Sequence, residues 1–126
     1  MPIPCPKIKK LPRGRKTKAD CVKLSSEIVI RAGRGRCRRC HLAKPLHPHH
    51  VIYRSYAHTV ALVKNQVPLC PECHTWAHSY PDEMLDWFEK RFPGLLSELR
   101  EIAGRSGKVS WDDVWRELIE IKESTK

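Results

Sequence analysis

Apolar and polar positions follow three different rhythms along this chain. Residues 1–20 have almost no apolar spacing: Pro2, Pro4, Pro6, Pro12 and Gly14 alternate with Lys7, Lys9, Lys10, Arg13, Arg15, Lys16 and Lys18. Proline fixes φ and removes donors, and like charges repel, so these residues predict a flexible basic arm. Ser25 to Ala32 reads as a short helix capped by Ser25 or Ser26 and stopped by Gly33 and Gly35. Its β-branched run suits a strand equally well. The middle has short β-forming stretches. Leu46 to Tyr53 predicts a strand entering a loop, and Arg54 to Lys64 predicts that loop, with a helical turn at 59–63. Gln66 to Leu69 predicts a second strand, on an edge because of Pro68. Pro71 then suits the first turn of a helix, setting His74 and His78 one turn apart on one face.

Helical spacing takes over in the last third. Pro81 to Phe92 carries an apolar stripe with early acids and late bases. Pro93 and Gly94 interrupt it before Leu95–Ala103. Ser110 to Asp113 resembles a capping box opening a further helix, with Asp113 in the usual Glu position. The stripe of that helix, Trp111, Val114, Trp115, Leu118 and Ile119, is expected to pack against the strand–helix unit and not to stack on bases. The fold class is therefore α+β, divided into an arm over 1–20, a core over 21–80 and a helical extension over 81–126.

Charge sharpens this division. Of the 24 Lys/Arg in 126 residues, 14 lie in residues 1–44 against only Asp20 and Glu27, a net of +12. The remaining residues carry 10 bases and 12 acids, a net of −2. So asymmetric a chain points to nucleic acid as its partner, a solubilising arm being the plain alternative. The start lacks the apolar segment of a secretory signal, and no apolar run is long enough to cross a bilayer. A chain this short often needs a metal or another staple.

The cysteines supply that staple. Cys37/Cys40 and Cys70/Cys73 form two C-x-x-C pairs, which in a non-secreted chain favour zinc over disulfides. Four thiolates close a tetrahedral site, leaving His49, His50, His74 and His78 for other chemistry. Cys5 and Cys21 fall outside the pattern and read as ordinary thiols.

Taken in order, Cys37–Cys40, His49-His50-Val51, Arg54-Ser55, Asn65, Cys70–Cys73, His74 and His78 resemble the four-cysteine HNH, or His-Me finger, endonucleases. The likeness covers about a third of the chain. It implies a small zinc-stabilised ββα-metal finger with flanking α-helices, hydrolysing DNA to 5′-phosphate and 3′-hydroxyl ends. It also implies His50 as general base, Asn65 as its orienter, and His49, His74 and His78 on a second, catalytic divalent ion. Imidazoles suit Mn, Ni, Co or Zn better than Mg, and the identity stays open. His49 and His50 point to opposite sides of a strand, which fits these roles and equally fits their exchange. His47 is expected at the surface. Arg54, Arg34, Arg36, Arg38 and Arg39 are the expected DNA contacts. Small free-standing members are often phage-encoded, which implies the cytoplasm of a bacterial or phage-infected host cell. Nicking and double-strand cutting both remain open, and a non-catalytic zinc-stabilised DNA-binding module is the alternative. Many relatives have Gly-Gly soon after Arg-Ser, whereas this chain reads Tyr56-Ala57-His58-Thr59.

Overall fold

Thr17 opens the first helix. Its hydroxyl accepts from the Asp20 amide at 3.2 Å, and the Asp20 carboxylate accepts from the Thr17 amide at 3.0 Å. This reciprocal cap starts α1 (Lys18–Gly33), which ends on Arg34 in the left-handed region at φ 53°. The computed structural model describes residues 15–124. The greater part of the expected arm, 1–14, and Cys5 lie outside the described residues.

Two expectations need correction here. The helix begins inside the segment read as arm, and neither Ser25 nor Ser26 caps it. Both serines lie mid-helix and are bonded. The Ser25 hydroxyl donates to Val22 O at 2.9 Å, and Ser26 donates to Gln66 Oε1 at 2.8 Å. Gln66 Nε2 donates in turn to Ser25 Oγ at 2.8 Å. A tertiary partner forty residues away, invisible to local pattern, is what absorbs these polar groups.

The strands are β1 (His47–His50) and β2 (Gln66–Leu69), antiparallel, with His49 opposite Val67 and Pro48 opposite Pro68. Val51 N donates to Asn65 O at 2.8 Å. Counting alternately from that bonded pair puts both prolines where the ladder makes no hydrogen bond, so neither removes one. A 3₁₀ turn (Val63–Asn65) leads into β2, and α2 (Pro71–Ser79) follows with Pro71 in its first turn. Then come α3 (Pro81–Arg91), α4 (Leu95–Ala103) and α5 (Trp111–Ser124). The described residues thus form a mixed α/β fold of five helices and one two-stranded antiparallel sheet. None of these helices is long and apolar enough to cross a membrane.

Two apolar clusters hold these elements. One joins Val67 and Leu69 to Cys37, Cys70, Cys73, Ala77, Met84, Phe88, Leu96 and Leu99, with Cys40 packed against it. The other joins Cys21, Leu24 and Ile28 of α1 to Val60, Ala61 and Leu118. The α5 stripe of Trp111, Val114, Trp115 and Ile119 packs on this second cluster. It covers α1, therefore, and not the strand pair. The cause is the apolar face of α1, which spaces Cys21, Leu24 and Ile28 on one side and must bury them. Gly33 lets the end of α1 approach the sheet: a Cβ there would lie 2.7 Å from Leu46 Cδ1 and 3.1 Å from Pro68 Cβ.

Candidate metal centres

The sulfur cluster is built by two tight turns. Cys40 N donates to Cys37 Sγ and Cys73 N to Cys70 Sγ, each at 3.5 Å. Cys70 is also the N-cap of α2, so the helix N-terminus faces the sulfurs and favours negative charge there. All four Sγ atoms lie within 4.8 Å of one another, and Cys40 and Cys70 are 3.8 Å apart. A tetrahedron with Zn–S of about 2.3 Å has an S–S edge of about 3.8 Å, so the set fits zinc.

Ionisation is uneven across these sulfurs. Burial pushes the Cys37 thiol up, but the Cys40, Cys70 and Arg39 amides outweigh it and bring it down to about 6. Burial pushes Cys73 up to about 12, reinforced by Cys37 and Cys70, while Arg39 pulls the other way. Burial also raises Cys70. Four thiolates together need a cation at their centre. Cys21 stays apart: it is a buried free thiol bonded to Trp111 O at 3.2 Å, and burial raises its pKa.

The second cluster lies where β1 meets α2. His49, His74 and His78 bring one nitrogen each within 4.8 Å. His74 Nε2 and His78 Nε2 are 3.1 Å apart. Two imidazoles on one ion at about 2.0–2.1 Å would be separated by about 3.3 Å in tetrahedral geometry, so this pair fits a shared ion. His49 is only 5 % exposed, and both its ring nitrogens are buried without a hydrogen-bond partner. Burial, then the charges of His74 and His78, lower its pKa to about 4, so it is neutral and ready to ligate. An orphaned buried imidazole costs free energy unless something satisfies it. A divalent ion would.

Strand alternation sends His50 to the other side. Its Nε2 lies 3.0 Å from Val60 O. A carbonyl only accepts, so Nε2 carries the hydrogen and Nδ1 keeps its lone pair. Burial lowers the His50 pKa, the Val60 bond raises it and Arg54 lowers it, the net shift being downward. Asn65, 0 % exposed, fastens the loop that carries Val60. Its Oδ1 accepts from Ile52 N at 2.8 Å, and its Nδ2 donates to Thr59 O at 3.1 Å and Ile52 O at 3.3 Å. The Tyr56–Thr59 loop is built without a left-handed residue. The left-handed positions among the described residues are Arg34, Gly35, His41, Gly94 and Gly107, none of them in this loop.

The arginines divide. Arg34, Arg36 and Arg54 are exposed, Arg36 bonding His41 O at 3.2 Å, and Arg38 is half-buried. Arg39 is half-buried: its guanidinium lies 3.6 Å from the Trp76 ring centroid and donates to Cys73 Sγ at 3.5 Å. His47 is exposed as expected, yet its ring stacks on His74 at 5.8 Å, a contact missed because it needs the β1–α2 crossing. A cavity of about 440 Å³ opens beside His49, His50 and His78, its far side closed by α3 and α4. Nothing in the sequence had tied those helices to the site. No protein-family model, curated protein or solved structure matches this chain.

Proposed function

We propose that this protein is a metal-dependent HNH-type endonuclease hydrolysing DNA phosphodiester bonds, with β1, β2 and α2 as its ββα-metal finger. The observation that carries the reading is His49, buried with neither nitrogen bonded and flanked by two further imidazoles. A purely structural zinc finger has no use for that second cluster. His49, His74 and His78 would hold a divalent ion, which would supply positive charge to offset the negative charge developing during hydrolysis. His50 is the general base. Its Nδ1 takes a proton from the attacking water while the new P–O bond forms and the P–O3′ bond breaks. Val60 O holds the ring by its Nε2 hydrogen, and Asn65 positions the Val60 loop without touching substrate. Arg54, exposed and close enough to His50 to affect its titration, grips a neighbouring phosphate oxygen. The tetrathiolate zinc holds the frame.

The test is supercoiled plasmid incubated with the protein and Mg, Mn, Ni, Co or Zn, beside a His50→Ala variant. Nicked or linear DNA that disappears in the variant supports the reading. Equal cutting by the variant removes His50 as base. Retarded but uncut DNA with every metal leaves the non-catalytic DNA-binding module.

A further inference from the structure

The cavity beside the histidines has an interior that phosphate binding alone does not require. Its volume of about 440 Å³ falls within the range of about 300–1,000 Å³ typical of small organic ligands. Met84, Leu85 and Leu96 line it. Tyr53 and Tyr56 also line it while staying 72 % and 48 % exposed. Arg100 lines it too, is exposed, and makes no ion pair among the described residues.

We propose that this cleft holds one unpaired nucleoside of the substrate strand, next to the scissile phosphate. The proposal rests on the nuclease reading above. His49 and His78 lie in the cleft wall, so for a phosphate held beside that cluster the attached sugar and base must enter the cleft or turn back into water. An apolar lining with two free tyrosine rings suits the face of a base, which stacks on aromatic side chains whatever its sequence. Arg100 offers a second cation for the next phosphate, which gives the occupant charge at one edge and an apolar body. A base stacked and paired in duplex DNA cannot enter without being flipped out. The substrate class is therefore single-stranded or locally unpaired DNA.

The experiment uses full-length His50→Ala protein and a short DNA single strand carrying one 2-aminopurine, whose fluorescence is quenched on stacking. Saturable quenching is expected, with affinity falling about tenfold in a Tyr53→Ala, Tyr56→Ala double variant. Arg100→Ala, at an exposed position, should weaken binding likewise and serves if the tyrosine variant misfolds. With active protein, the single strand should be cut about tenfold faster than its matched duplex. A strand bound by anisotropy without quenching, or a duplex cut as fast as the single strand, overturns the proposal. Quenching without cutting under any metal supports the cleft assignment and removes the nuclease reading. Duplex cutting without quenching does the reverse.

Discussion

At the residue scale, two neighbouring imidazoles receive different surroundings from the strand they share. His49 turns towards α2 and is orphaned; His50 turns towards the loop and has one nitrogen committed to Val60 O. As the proposed general base, His50 must be neutral to act, and its folded pKa lies below the ordinary imidazole value, chiefly through burial. Activity should therefore persist as pH falls through about 6.5, the reference imidazole pKa, and be lost only at lower pH. Arg54→Ala removes one lowering influence, so the acid limb of the kcat/KM profile should move to higher pH. An unmoved limb would mean that another group titrates there. Arg39, an expected DNA contact, also touches the sulfur cluster through Cys73 Sγ and lies over Trp76. Groups bonded to metal ligands commonly affect affinity by about 10- to 100-fold, so Arg39→Ala should release zinc to a chelator faster by a factor in that range. Its DNA salt dependence should stay near wild type.

At the element scale, local signals worked where the capping or turn residue carried the information itself. Pro71 marked the start of α2, and Ser110 opens α5 with its backbone carbonyl bonded to Val114 N and its hydroxyl 3.4 Å from Asp113 N. The start of α1 is hidden from local pattern because Thr17 and Asp20 sit among basic residues that look like a solvated tail. Their capping box is the decisive chemistry, and Thr17→Ala should lower stability by about 1 kcal/mol, measured by chemical denaturation with zinc present. A cost near zero would show that packing on α5 alone sets the helix start. The two serines of α1 are illegible locally for the complementary reason, since their partner Gln66 lies on β2.

At the scale of the whole molecule, zinc and nucleic acid are the two tests. Cys70 is both a sulfur ligand candidate and the N-cap of α2, so Cys70→Ser should abolish zinc stoichiometry and cooperative melting together. A variant that keeps both would refute the tetrathiolate site. Removing residues 1–14 spares the Thr17 cap and deletes Lys7, Lys9, Lys10 and Arg13. If these bases contact duplex DNA, the slope of log K against log salt should become shallower by up to about 3.6. An unchanged slope would assign DNA affinity to the folded part alone.

By itself the sequence determined the ligand chemistry. Residue type and short spacing set the C-x-x-C turns, the His74/His78 helix face and the opposite orientations of His49 and His50, because such geometry spans only a few residues. Tertiary structure alone decided what those groups meet. It brings His49 against His74 and His78, fastens the Val60 carbonyl to His50 through a loop held by Asn65, and closes a cavity with α3 and α4. Those contacts depend on how α1 buries its apolar face against α5 and how the strand pair settles on α2. Burial is shared among distant elements, and no local pattern records it.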